Sequence, residues 1–204
     1  MVRYKKIVIA TKNPAKLEYY KPVLLKIADC VVGLAELGIN EKPVENGATA
    51  EENAQIKVTF YAALCGLPAF SEDEALYADF LSEVEQPCTH VRRINGVDEV
   101  DDETLLSYWE KKISAVPIES RRGRWHIAYC LGTPDGNCKV TSLDHHVMFF
   151  SPSSKIKLPG WPMSSLEGNI KFGKPNSELT DKEKQLGKEL VLKELKNHLS
   201  ELAS

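Results

Sequence analysis

The sequence predicts an α/β fold: a mixed β-sheet flanked by helices. Three observations carry this. Short apolar runs of strand composition alternate with helix-period segments through Ile113, the pattern of strands interleaved with helices. Two β-rich runs, Arg124–Leu131 and Cys138–Phe150, bracket a stretch containing Pro134-Asp135-Gly136, which supplies turn dihedrals and so makes an antiparallel hairpin. At 204 residues and 43% hydrophobic content, the chain is long and apolar enough to bury one sizeable core.

Each element follows from its local pattern. Lys5-Lys6-Ile7-Val8-Ile9-Ala10 reads as a buried strand, and Leu17–Ala28 as a helix carrying Leu17, Tyr20, Leu24 and Ile27 on one face. Cys30–Leu34 follows as a second strand. After the loop GINEKPVENGA, Thr49-x-x-Glu52 has the form of a capping box and opens a helix through Leu64 that Gly66 stops. Leu67–Ser71 is the next strand, and it runs into three consecutive acids, Glu72, Asp73 and Glu74. Asp101 or Asp102 caps a helix over 103–113. Ser151–Asn176 shows little periodicity and reads as one long loop, of the kind that is functional or mobile. Thr180-x-x-Glu183 starts a last helix with Leu186, Leu190, Leu195 and Leu199 along it.

Composition excludes several classes of function. The 26 basic and 29 acidic residues are mixed along the chain, so no global field draws in nucleic acid or an anionic membrane. Arg121-Arg122-Gly123-Arg124 is too short a basic patch, without interleaved aromatics, to argue for nucleic acid. The apolar run near the N-terminus is too short for a signal-peptide core or a membrane span, which leads to the expectation of a cytoplasmic protein. Cys30, Cys65, Cys88, Cys130 and Cys138 are scattered without a CxxC pair, so neither a disulfide framework nor a zinc site is indicated. Asp144-His145-His146 is no metal cluster either, because adjacent strand positions point to opposite faces. His126 reads as a packed strand residue.

One constellation carries chemistry. Ala10-Thr-Lys-Asn-Pro-Ala-Lys16 lies where a strand gives way to a helix, and the free N–H groups of a helix start suit a phosphate. Taken alone, Thr11 and Asn13 are better explained as helix caps. The run IVIATKNPAKLEYYKPVL resembles the opening of the inosine triphosphate pyrophosphatase family, whose strand leads into a Thr/Ser-x-Asn-x-x-Lys loop, matched by Thr11, Asn13 and Lys16. Further along, Glu52-Asn53-Ala54 with Lys57, then Leu67-Pro68-Ala69 with Glu72-Asp73 and Leu76, match that family's next landmarks in order. Pro87, Arg93 and Gly96, then Gly173-Lys174 and Glu178-Leu179-Thr180, extend the resemblance over nearly the whole chain.

The resemblance implies a single pyrophosphatase-like domain over residues 1–204, an elongated sheet in two lobes around a central active-site cleft, the smaller lobe spanning roughly residues 101–151. It also implies a homodimer. The implied activity is Mg²⁺-dependent hydrolysis of non-canonical nucleoside triphosphates to monophosphate and pyrophosphate. A triphosphate carries about four negative charges, so a hard cation and several lysines are needed before water can approach its α-phosphorus. By carry-over, Glu52, Glu72 and Asp73 hold the metal, and Asp73 orients or deprotonates the attacking water. Thr11, Asn13, Lys16, Lys57, Lys174 and Arg93 hold the phosphates. Glu74 stands where the family has a small polar residue and reads as surface charge.

The sequence departs from the family where the family reads the base. Gly160-Trp161-Pro162-Met163-Ser164 falls on a segment whose aspartate is here Ser164; Trp161 retains an aromatic face on which a base can stack. The family's Ser-His-Arg-Gly segment is absent near Gly187. Trp161 and Ser164 are thus the base-binding candidates of a site with altered or broadened base specificity. The alternatives are a catalytically silent relative that binds a nucleotide or other phosphate, and a hydrolase of another diphosphate-containing substrate.

Overall fold

The computed structural model describes residues 3–202, with the side chains of residues 190–192, 194 and 196–202 outside the description. Ten principal elements are formed in the order β1 (Tyr4–Ile9), α1 (Pro14–Leu24), β2 (Ala28–Gly33), α2 (Ala50–Cys65), β3 (Ala69–Ala78), α3 (Asp102–Ser114), β4 (Arg122–Gly132), β5 (Cys138–Phe149), β6 (Glu167–Asn169) and α4 (Asp181–Leu202). The strands join one six-stranded sheet in the order β2-β1-β3-β4-β5-β6. β1 pairs in parallel with β2 and β3, and β5 antiparallel with β6, so the sheet is mixed as predicted.

Four local differences from the sequence reading have physical causes. α1 begins at Pro14, not Leu17, because the Asn13 side chain accepts from Ala15 N–H and proline suits the first helical position. It ends by Leu24, and Ala28 already pairs as a strand residue opposite Tyr4. α2 starts after Thr49 as expected, with Thr49 Oγ1 accepting from Glu52 N–H at 3.2 Å. The reciprocal half of that capping box is missing, because Glu52 Oε2 accepts from Ala48 N–H at 2.6 Å instead. β3 does not end at the acids: it runs on to Ala78, which places Glu72, Asp73 and Glu74 in mid-strand. Finally, the stretch after Ser151 is not one structureless loop, since Glu167–Asn169 pairs with Val147–Phe149.

The chain divides into two compact units, and the boundaries fall inside elements: between Asp73 and Glu74 in β3, His126 and Ile127 in β4, Leu143 and Asp144 in β5, and Gly187 and Lys188 in α4. The core of the first unit gathers Ile7 and Ile9 of β1, Tyr20, Val23 and Leu24 of α1, Val31 of β2, Phe70 of β3 and Leu195 of α4. Phe70 stacks on Tyr129 with ring centroids 6.1 Å apart. Leu186, expected on the apolar stripe of α4, is exposed, while the side chains of Leu190 and Leu199 lie outside the described residues. In the second unit α3 buries Leu105, Trp109 and Ile113, and Trp109 stacks on Phe149 at 6.3 Å. Among the described residues, no helix is long and apolar enough to cross a membrane.

Candidate active site

The loop from β1 into α1 is folded by its own side chains. Thr11 Oγ1 accepts from Asn13 N–H at 3.1 Å, and Asn13 Oδ1 accepts from Ala15 N–H at 2.9 Å. This turn sets Lys16 on the first turn of α1, from which Nζ reaches both carboxylate oxygens of Glu72, at 2.9 and 3.2 Å. Glu72 is 8% exposed, so its charge sits where only a close cation makes burial tolerable.

Strand alternation sends the next acid the other way. Ser71 Oγ donates to Ala54 O of α2 at 2.6 Å, and Asp73, two positions on, also faces α2. There Lys57 Nζ donates to Asp73 Oδ1 at 2.6 Å and to the Glu72 carbonyl at 2.8 Å, and it lies 3.4 Å from Glu45 Oε2. Burial raises the Asp73 pKa above the usual carboxylate range; Lys57 works against the shift, and the Glu72 and Glu45 charges add to it. Beside Glu72, the Tyr19 hydroxyl is pushed up to about 12, first by burial and then by the Glu72 charge. The first unit thus concentrates three carboxylates, Glu45, Glu72 and Asp73, on two lysines.

The other predicted residues have partners of their own. Glu52 holds Ala48 N–H and lines an open groove of about 840 Å³ with Pro43, Val44, Ile56 and Phe60. In the second unit, Lys174 pairs with Glu183 at 2.8 Å, and Glu183 is held down to about 2 by that lysine and by Thr180. Arg93 pairs with Asp98 on an exposed stretch. Ser164 and Trp161 do meet: the Ser164 hydroxyl donates to the Trp161 carbonyl at 2.6 Å. Among the described residues, no three His, Cys, Asp or Glu side chains are gathered as a ready cation cage. Asp144 accepts or shares a hydrogen bond with His126 Nδ1 at 2.7 Å, a pairing within the second unit that alternation along β5 does not reveal.

Glu45 escaped sequence reading. It sits in the loop before α2, with no periodicity to mark it, and only the turn at Asn46-Gly47 hints that the loop is held. Gly47 N–H donates to Asn53 Oδ1 at 2.9 Å, and an added Cβ at Gly47 would stand 2.7 Å from the Glu52 Cβ.

A mixed α/β sheet with a capped strand–loop–helix turn and paired acids in mid-strand defines a recognisable class. The Ham1 family profile matches residues 7–144, and the chain belongs to that family. The family resemblance read from the motifs is borne out. The chain is 34% identical over 133 residues to a dITP/XTP pyrophosphatase of Symbiobacterium thermophilum, covering 65% of this chain and 64% of the relative. It is 30% identical over 140 residues to the protein of the same name from Thermus thermophilus, covering 69% and 65%. The chain therefore matches just under two-thirds of the length of these relatives. In fold, a HAM1 protein of Coxiella burnetii superposes with a TM-score of 0.74 at 20% identity, over 98% of this chain and 100% of that one. The Ham1 protein of Staphylococcus aureus gives 0.70 at 21% identity, over 95% and 100%. Thr11 to Asp73 and Arg93 lie inside the family match; Trp161, Ser164 and Lys174 lie beyond its end at residue 144.

Proposed function

We propose that the protein is a Mg²⁺-dependent nucleoside triphosphate pyrophosphatase that releases pyrophosphate and a nucleoside monophosphate, with non-canonical purine nucleotides as substrates and an altered or broadened base specificity. The single observation that carries the reading is the Lys16–Glu72 and Lys57–Asp73 cluster, set within the stretch that matches the family. The curated relatives' name, dITP/XTP pyrophosphatase, supports the substrate class.

Glu72 and Asp73 are oxygen donors of the kind a hard cation takes, and Mg²⁺ is commonly held by one or two carboxylates, with phosphate and water oxygens completing its six positions. The donor set fits on those terms, and Mg²⁺ would supply charge neutralisation along the phosphate chain. Glu52 would join it through Oε1, since Oε2 accepts from Ala48 N–H. When a triphosphate enters, its oxygens compete for Lys16 and Lys57, which releases Glu72 and Asp73 from their present ion pairs. Asp73 then takes a proton from the attacking water; its raised pKa makes it a better base than an exposed aspartate. Thr11, Asn13 and the N-terminal amides of α1 orient the phosphate tail. Lys174, Arg93 and, for the base, Trp161 and Ser164 belong to the same proposal, within a single pyrophosphatase-like domain acting as a homodimer. Ser164 already spends its hydroxyl proton on Trp161 O, so a base at this segment would meet an acceptor and an aromatic face but no carboxylate.

Turnover of ITP, XTP, dITP and ATP in ¹⁸O-labelled water with Mg²⁺ tests the reading. Label recovered in the monophosphate, with unlabelled pyrophosphate released, is the expected result. Release of orthophosphate alone would contradict it. Tight calorimetric binding of triphosphates without any product would favour the silent phosphate-binding relative, which the closed ion pairs at both lysines also accommodate.

A further inference from the structure

The scattered spacing of Cys130 and Cys138 indicates no disulfide framework, but the hairpin of β4 and β5 brings them together. Thr133 N–H donates to Asn137 O at 2.9 Å, which closes the hairpin turn and sets Gly132 opposite Cys138. A Cβ at Gly132 would stand 3.1 Å from the Cys138 Cβ and would also collide with Val58 of α2. Gly132 and Cys138 therefore share the sheet face that packs under α2, and Cys130, two positions back along β4, projects from that same face. With no side chain at Gly132 to stand between them, the two thiols are near neighbours on that face, close enough for the Cys138 sulfur to act on the Cys130 thiol.

We propose that Cys130 and Cys138 form an oxidisable dithiol, a modification site at which hydrogen peroxide closes a cross-strand disulfide on the floor of α2. The two positions are unequal in the way such chemistry requires. Cys130 is completely buried, whereas Cys138 is partly exposed and is the thiol a peroxide can reach. Burial and the neighbouring Cys138 sulfur push the Cys130 thiol up, so it does not ionise and react first.

The Cys138 sulfur attacks one peroxide oxygen, the O–O bond breaks, and the departing hydroxide takes the thiol proton to leave as water. Cys138 is then a sulfenic acid. The Cys130 sulfur attacks the Cys138 sulfur, the S–O bond breaks, and the second hydroxide leaves with the Cys130 proton as a second water. Two thiols and one peroxide give one disulfide and two waters. Diagonal neighbours across an antiparallel pair stand roughly 7–8 Å apart at Cα, and disulfides span at most about 7 Å, so closure must tighten the end of the hairpin. That end abuts Val58, the residue after Lys57. An effect on the Lys57–Asp73 pair rests on the function proposed above; the crosslink itself does not.

The test is peroxide treatment of the folded full-length chain with one equivalent of hydrogen peroxide, followed by unfolding, alkylation and peptide mass mapping. A peptide pair joined at Cys130 and Cys138 and lighter by two hydrogens, restored to two alkylated thiols by dithiothreitol, is expected. In Cys138→Ser, Cys130 should stay alkylatable; in Cys130→Ala, Cys138 should gain oxygen and proceed beyond the sulfenic state. The proposal is overturned if Cys138 in the unsubstituted protein gains oxygen while Cys130 remains a thiol. It is equally overturned if both remain thiols at a dose that oxidises Cys30, Cys65 or Cys88.

Discussion

Lys57 holds three oxygens at once: a side-chain oxygen of Asp73, the carbonyl of Glu72 and, less closely, a carboxylate oxygen of Glu45. A lysine so placed restrains the basicity of Asp73 as well as its position, because its charge opposes the upward shift that burial causes. Replacing Lys57 with Gln removes that restraint in the free protein, so the acidic limb of the kcat/KM profile should move to higher pH. An unmoved limb with lower activity would mean that Lys57 binds substrate without tuning Asp73. Asp73→Asn should behave differently from an ordinary active-site loss. It removes a carboxylate that burial disfavours in its charged form, so turnover should fall by a factor of about 10² or more while the melting temperature holds or rises. A fall of several degrees would show the Lys57 pair to be structural in the main.

At the scale of elements, α2 matters most, because it carries Lys57 on one face and receives the loop bearing Glu45 at its start. Its N-cap is the Thr49 hydroxyl, and Thr49→Ala should cost about 1 kcal/mol in unfolding free energy, measured by denaturant titration. The start and stop of α2 and the starts of α3 and α4 were legible in the sequence, since Thr49, Gly66, Asp101 and Thr180 act through purely local hydrogen bonds or dihedrals, whereas both ends of α1 were not. The course of β3 was not. Acids at 72–74 break the apolar pattern by which a strand is read, and they stay in the strand because sheet pairing outweighs local propensity while lysines from α1 and α2 meet Glu72 and Asp73. β6 was missed for a different reason: three residues hold no readable period, and only Val147–Phe149, distant in sequence, define them. For the site, the motifs marked Lys16, Lys57, Glu72 and Asp73, but nothing local marked Glu45 or showed that Glu52 turns to Ala48. Partners chosen by tertiary folding leave no trace in spacing.

At the scale of the whole molecule, stability should carry the imprint of one buried acid. Glu167 accepts from the Trp125 indole N–H, and burial first, then the Glu74 charge, raise its pKa to about 7 against the bond from Trp125. The folded state therefore holds a proton that the unfolded chain releases at the usual glutamate range of about 4.3. Unfolding free energy should fall as pH rises through that window and level off above about 7, by roughly 3 kcal/mol in all for a shift of this size. Glu167→Gln should flatten that slope. A slope unchanged in the variant would place the titrating group elsewhere. The family match ends at residue 144 and leaves Ser164 and Gly187 outside it. The matched part contains Lys16, Lys57, Glu72 and Asp73, whereas Lys174 lies beyond it.

If the acid–lysine cluster on β3 performs triphosphate hydrolysis, single-turnover kinetics on ITP with Mg²⁺ will separate the unsubstituted protein from Asp73→Asn. The unsubstituted protein should form monophosphate and pyrophosphate stoichiometrically, and the variant's chemical step should slow by about 10² or more while nucleotide binding is retained. Equal rates in the two proteins, or no product from either, would contradict that role for the cluster.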